Sequence, residues 1–198
     1  MCATGFAAMT GSFDRIHIAG RDGLTLRQKW SAGPRTFLGL ATAGFPNLFM
    51  ITGPGSPSVL ASMIQSIEQH VDWIADCIGH LRDVGVVTID AIIAHEDAWV
   101  EHVNEVAQAS LRSTCSSWYV GANIPGRPRV FMPYIGGFPI YVQKCNEVME
   151  NGFAGFLLDG GAGRNAKPRF CYTERWRVPL DIEVISPAAV AAKRVPVV

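Results

Sequence analysis

Apolar positions along the chain fall into distinct patterns, and each predicts a different element. From Val59 to Leu81, the residues Val59, Leu60, Met63, Ile64, Ile67, Val71, Ile74, Ile78 and Leu81 recur at spacings of three and four. That spacing predicts an amphipathic helix with one apolar face. Just before it, Pro46-Asn47-Leu48-Phe49-Met50-Ile51-Thr52 is a short, continuous apolar run, the pattern of a buried parallel strand. Between them, Gly53-Pro54-Gly55-Ser56-Pro57-Ser58 holds too many breakers for helix or strand and predicts a turn. Strand, small-residue turn and helix in succession are how an open α/β sheet brings a helix N-terminus to a ligand.

The remaining patterns are weaker. Alternation over Arg15-Ile16-His17-Ile18 predicts a strand, and Gly20-Arg21-Asp22-Gly23 a turn ahead of Leu24-Thr25-Leu26. Gly85 is placed to end the long helix in a left-handed cap. Thr88 is placed to cap a second helix running to about Leu111. In that helix Ile92, Trp99, Val103 and Val106 share a face, while Glu96, Asp97, Glu101 and Glu105 point largely outward. Val130-Phe131-Met132 suggests a short strand, Ile140 to Asn151 a helix with Gly152 past its end, and Phe153 to Leu158 a closing strand. The remainder, through Val198, reads as a poorly ordered tail or an out-of-frame extension.

Composition narrows the class. The 198 residues are 48% hydrophobic and 17% charged, as in a globular chain able to bury a core. No apolar run approaches the roughly 18–20 residues of a membrane span, so no membrane partner is expected. Cysteines at 2, 77, 115, 145 and 171 are odd in number and never in C-x-x-C spacing. With no basic stretch and apolar core at the N-terminus, this argues for reduced thiols, a cytoplasmic protein and no zinc site. Net charge is zero, with seven Lys/Arg against three Asp/Glu in residues 160–198 and ten against fourteen before them. No aromatic-basic platform accompanies that imbalance, so no nucleic-acid partner is expected.

Several chemistries fail on spacing. Gly161-Ala162-Gly163-Arg164-Asn165-Ala166 matches G-x-G-x-x-A, but Lys167-Pro168-Arg169 follows where a dinucleotide fingerprint must open a helix. Ser56 lacks the flanking glycines of a hydrolase elbow, and there is no G-x-x-x-x-G-K-[ST] phosphate loop. His95 and His102 are seven apart, too far for a zinc helix, and like His17 they read as surface residues. The aperiodic stretch from Ser116 to Arg129, with Trp118, Tyr119, Asn123 and two arginines, suits either a ligand-binding loop or a plug at the edge of the core.

Taken in order, these stretches resemble the C-terminal part of the flavin-dependent Baeyer–Villiger monooxygenases, the phenylacetone and cyclohexanone monooxygenase type. The resemblance runs from Ala3 to about Leu158. It includes Ala3-Thr4-Gly5-Phe6 with Met9-Thr10-Gly11, Thr42-Ala43-Gly44-Phe45-Pro46-Asn47-Leu48-Phe49 and Gly53-Pro54-Gly55-Ser56-Pro57-Ser58. It continues through Ser66-Ile67-Glu68-Gln69-His70-Val71, Trp99-Val100-Glu101-His102, Ser117-Trp118-Tyr119 and Pro125-Gly126-Arg127-Pro128-Arg129. It implies an α/β fold, the C-terminal part of a two-dinucleotide-binding-domain flavoprotein, with an incomplete sheet and helical segments.

The resemblance also implies FAD and NADP as cofactors, and a ketone and O2 as substrates, converted to an ester or lactone by chemistry that belongs to the flavin. Pro57, Ser58 and Met63 would edge the FAD; Ser58, Val59 and Leu60 the ketone pocket; Trp118 would reach NADP. Residues 1–12 would be an inter-domain linker, 13–158 part of the FAD-binding domain with helical and mobile-loop segments, and 159–198 the tail. Ala7 stands where the family carries an acidic residue, and Arg127 where lysine is frequent. The family's dinucleotide motifs and catalytic arginine precede the matched region. The chain is therefore expected to be a fragment, with no catalytic residue of its own and the missing N-terminal part as partner. Alternatives are a non-catalytic truncated product or partner-binding module, and a flavin monooxygenase acting on nitrogen or sulfur.

Overall fold

The structure is a computed structural model that describes residues 7–57, 61–111, 115–160 and 175–176. Ala3–Phe6, Ser58–Leu60 and the Gly161–Ala166 stretch lie outside the described residues. The elements are α1 (Leu26–Lys29), α2 (Met63–Val84), β1 (Thr88–Ala91), α3 (Ile93–Gln108), α4 (Phe138–Glu150) and β2 (Phe156–Asp159). Short 3-10 turns occupy Phe13–Arg15, Arg21–Gly23 and Trp118–Val120.

Helix α2 opens on Ser62, whose side chain accepts from the Gln65 N–H, and closes on Gly85 in the left-handed conformation (φ 73°), as its position predicts. Its buried face differs from the predicted one. Ser66, Gln69, His70, Trp73, Cys77 and Leu81 face inward. Met63, Ile64, Ile67, Val71 and Ile78 are 40–72% exposed. Trp73 sets this rotation. Its ring packs edge-on against Phe153 at 5.6 Å, and its indole N–H donates to the Cys145 carbonyl at 3.2 Å. Burying that indole outweighs burying any single Ile.

Around Trp73 lies the main core, formed by α2, α3, α4 and the irregular segment Phe37–Ala43. A smaller core joins Leu26, Trp30, Phe45 and Met50, with Phe13 edge-on to Trp30. Thr88 does not cap a helix. Thr88–Ala91 pairs antiparallel with Phe156–Asp159, and α3 starts only at Ile93. Of the expected closing strand Phe153–Leu158 only Phe156 onward is strand, because the chain still turns at Phe153 (φ 61°) and Gly155 (φ 95°), and α4 runs from Phe138 with Gly152 just past its end. The sheet is two-stranded among the described residues.

Three predicted strands are absent. Pro46–Thr52 turns at Asn47 (φ 61°) and Thr52 (φ 54°), so it cannot run straight. Asn47 instead acts as a substitute strand edge for β1: its N–H donates to the Ile89 carbonyl at 2.9 Å and its side-chain oxygen accepts from the Ile89 N–H at 3.0 Å. Arg15 ends a 3-10 turn, and beyond it lies only an isolated bridge, Ala19 to Thr25. Val130–Met132 has no strand ladder.

Buried carboxylates do the work that strand pairing would otherwise do. Glu96, predicted to face outward, is 1% exposed. It accepts from the Thr42 hydroxyl at 2.8 Å, the Ala43 N–H at 3.0 Å and the Lys29 ammonium at 2.8 Å. Asp90 accepts from the Gly44 N–H at 2.9 Å and Arg21 at 3.0 Å. Together they fix Thr42–Gly44 where no regular element holds it. In the tail, Arg175 donates to Asp72 at 2.9 Å and Glu68 at 3.1 Å, while Trp176 packs edge-on to Phe138.

Above the core, the turns at Leu38–Gly39 and Gly53–Ser56 meet backbone to backbone. A Cβ added at Gly39 (φ 69°) would lie 2.6 Å from the Ser56 Cβ and N, and one at Gly53 would lie 2.6 Å from the Gly39 oxygen. Alanine at Gly44 (φ 85°) would meet no atom within 4 Å. Gly44→Ala is therefore expected to cost about 1–2 kcal/mol from conformation alone. Gly39→Ala is expected to cost about 1–3 kcal/mol more through overpacking. Urea unfolding of the two variants measures the difference, and equal losses would show that the turns do not bear on each other.

Candidate functional site

Among the described residues of the turn ahead of α2, no side chain is free for chemistry. Ser56 is fully buried, and its hydroxyl donates to the Gly53 carbonyl at 2.7 Å, which rules out a nucleophile elbow. The Thr36 hydroxyl donates to the Pro54 carbonyl at 2.5 Å and the Trp99 indole N–H to the Gly55 carbonyl at 3.1 Å. Cys77 and Cys145 are buried, and burial pushes both thiols up to about 12, so neither is a nucleophile. What the turn offers is shape and backbone polarity at the start of a 22-residue helix.

A run of backbone bonds joins this turn to the loop carrying Trp118. The Gly55 N–H donates to the Met132 carbonyl at 2.6 Å, and the Tyr134 N–H to the Ser56 carbonyl at 2.9 Å. From there the Met132 N–H donates to the Tyr119 carbonyl at 2.9 Å. Trp118 stacks on Tyr119 at 4.4 Å, and Tyr119 stacks on Phe131 at 6.2 Å. The two stretches singled out in the sequence, some sixty residues apart, thus form one stitched unit.

Of the sequence-derived site residues, Pro57 is buried at the end of the turn. Met63 is 40% exposed at the first position of α2. Trp118 is half-buried in its 3-10 turn. Ser58, Val59 and Leu60 lie outside the described residues. Beside the Trp118 loop, a cleft of about 410 Å³ is lined by Thr10, Asp14, Trp30, Gly126, Arg127 and Met132, among others. Arg127 donates to the Thr10 hydroxyl and the Asp14 carboxylate, closing that loop onto the early chain.

Sequence reasoning missed the side chains that hold the turn. His70 and Tyr141 are both fully buried. The Thr52 N–H donates to His70 Nδ1 at 2.8 Å, His70 Nε2 meets the Tyr141 hydroxyl at 2.8 Å, and that hydroxyl donates to the Leu38 carbonyl at 2.7 Å. The signal available was Trp73 and Cys77, two apolar residues four apart and off the isoleucine stripe. They mark a second face on which His70 also lies.

Burial pulls the His70 pKa from 6.5 to about 4. The unfolded chain takes up this proton near 6.5 and the folded one only near 4, so stability is retained above 6.5 and falls as pH drops toward 4. The expected loss is roughly 3 kcal/mol. Urea midpoints at pH 7 and pH 4.5 measure it. The drop should shrink in His70→Asn, and an identical drop in that variant would assign it to other groups.

No family model matches the chain. Among curated relatives, an acetone monooxygenase (methyl acetate-forming) of Gordonia sp. (strain TY-5) is 43% identical over 157 residues, 79% of this chain and 30% of the relative. A Baeyer–Villiger monooxygenase of Pseudooceanicola batsensis is 38% identical over 157 residues, 79% of this chain and 28% of the relative. A phenazine N-monooxygenase of Lysobacter antibioticus is also 38% identical, over 79% of this chain and 28% of the relative. Among solved structures, oxidized steroid monooxygenase bound to NADP superposes with a TM-score of 0.74 at 50% identity, over 80% of this chain and 30% of that one. A complex of OTEMO with FAD and NADP gives 0.72 at 34% identity, over 79% and 29%. The described fold is accordingly that of part of an α/β flavoprotein monooxygenase. Sequence and fold together make this chain a homologue of one part of the Baeyer–Villiger monooxygenases, spanning about 30% of the length of the relatives it matches.

Proposed function

We propose that this chain forms one wall of the active site of an FAD-dependent, NADPH-using monooxygenase that inserts one oxygen of O2 beside a ketone carbonyl to give an ester or lactone. The observation that carries this is the stitched unit running from Gly53–Pro57 through Met132–Tyr134 to Tyr119, which ties the proposed flavin edge to the proposed NADP-contacting Trp118 loop. Pro57, Ser58 and Met63 contact FAD in this reading, Ser58, Val59 and Leu60 line the ketone pocket, and Trp118 contacts NADP. The residues present fit such a group: Met63 offers an exposed apolar side chain at a helix start, where the backbone dipole favours electron-rich ligands. When bound, FAD reduced by NADPH supplies the activation of dioxygen. The chain's own contribution is to orient, to exclude water and to present backbone N–H groups.

The partner is the remainder of the enzyme, with residues 1–12 as linker, 13–158 as part of the FAD-binding domain and 159–198 as tail. The outward stripe of Met63, Ile64, Ile67, Val71 and Ile78 supports this, because such an apolar surface normally meets a protein. No helix among the described residues is long and apolar enough to cross a membrane, and a cytoplasmic location is part of the proposal. A second reading, oxygenation at nitrogen, draws on the phenazine N-monooxygenase relative at 38% identity.

The chain purified by itself is expected to be colourless, without FAD and without ketone-dependent NADPH oxidation. Joined to the remaining part of the Gordonia acetone monooxygenase, it is expected to become yellow and to oxidise NADPH when acetone or cyclohexanone is added. A chimera that binds FAD but oxygenates only an aromatic nitrogen would favour the second reading. Flavin binding and ketone turnover by the chain alone would overturn its dependence on a partner.

A further inference from the structure

The groups that fix the wall are themselves fully buried. Thr52 and Leu38 are both non-glycine residues held at positive φ, 54° and 57°. In a β-branched residue that conformation is strained. The two residues sit at the feet of the two turns that meet backbone to backbone, Gly53–Ser56 and Leu38–Gly39. His70 and Tyr141 span the gap between them, accepting the N–H of Thr52 at one end and donating to the carbonyl of Leu38 at the other.

Only one proton order satisfies this chain of bonds. A backbone N–H can only donate, so His70 Nδ1 is the unprotonated nitrogen. The neutral ring then carries its proton on Nε2 and donates to the Tyr141 oxygen. The Tyr141 proton is left for Leu38. Two more titratable groups lie at the relay: the Cys145 thiol, on the same helix as Tyr141, and Tyr134, whose ring packs against that of Tyr141 at 6.0 Å, and burial raises the pKa of both. Protonating Nδ1 would place two donors face to face at Thr52.

We propose that His70 and Tyr141 are positioning residues: a one-way hydrogen-bond relay that clamps both turns and so sets where Pro57 and the start of α2 present themselves to the ligand. The proposal rests on the flavin and ketone reading for what that position does, but not for the clamp. The imidazole is a fixed strut rather than a base, since its only lone pair is occupied by Thr52. Tyr141→Phe keeps the ring volume and removes the hydroxyl that joins His70 to Leu38. His70→Asn keeps a side-chain acceptor for Thr52, and His70→Leu removes it.

Two measurements test this. In the isolated chain, nitrogen NMR should show His70 as a single Nε2–H tautomer from pH 6 to 9. Amide exchange at Thr52 should rise at least tenfold in Tyr141→Phe and His70→Leu, and stay near wild type in His70→Asn, while Cys77 in mid-helix stays protected. Unchanged Thr52 exchange in Tyr141→Phe and His70→Leu, or an Nδ1–H tautomer, would overturn the relay. In the chimera that carries the remainder of the enzyme, Tyr141→Phe should raise the ketone KM at least fivefold with flavin content and kcat nearly unchanged. An unchanged KM beside a loosened Thr52 amide, or flavin content and kcat falling together, would overturn the positioning role. A chimera without any ketone turnover would count against the monooxygenase reading, and the exchange data would still decide the clamp.

Discussion

Two turns press together at Gly39 and Gly53, where neither glycine puts a side chain between them, and the proposed wall depends on that contact. At Gly39 and Gly53 the backbones approach to a separation that a Cβ would fill. Such proximity costs conformational freedom and leaves peptide groups in need of partners. The partners are supplied from the core below: Thr36 to Pro54, Trp99 to Gly55, and His70 with Tyr141 to Thr52 and Leu38. Each donor or acceptor arises from a different element, so the turn is held from several sides at once. That suits the proposed wall, which has to hold a cofactor edge in one fixed position.

The same logic runs through the irregular half of the molecule. From Ala32 to Ser62 the described chain has no regular helix or strand, yet much of it is buried. Glu96, Asp90 and Asn47 replace a ladder by accepting or donating where a neighbouring strand would have done so. A buried carboxylate is costly to desolvate unless its oxygens are matched. Glu96 has three donors, including the Lys29 ammonium, and removal of any one partner would leave a charge poorly compensated.

Helix α2 links the two themes. One side carries His70, Trp73 and Cys77 into the core, and the adjoining side leaves a line of isoleucines outside it. A helix with so wide an apolar arc is built to lie between two layers. Only one of those layers is found among the described residues. The share of the relatives' length that the chain covers, about 30%, is consistent with the other layer being part of a longer enzyme.

The existence of α2 and α4, the left-handed stop at Gly85, the turn at Gly53–Pro57 and the closing strand at Phe156 were all determined by local sequence. Periodicity and breaker residues act within a few positions and are legible there. Family resemblance rested on motif order and was equally legible. The rotation of α2 was decided only in three dimensions, because the core chose one indole, Trp73, over five aliphatic side chains that the spacing rule counted together. Tertiary partners likewise turned Thr88 into a strand, drew Glu96 inward and bent Pro46–Thr52, since each depends on a group forty or more residues away. The relay through His70 and Tyr141 was beyond any local rule. Its members are 71 residues apart, and the proposed strut role of the His70 ring rests on bonds to Thr52 and Tyr141 that only the fold brings together.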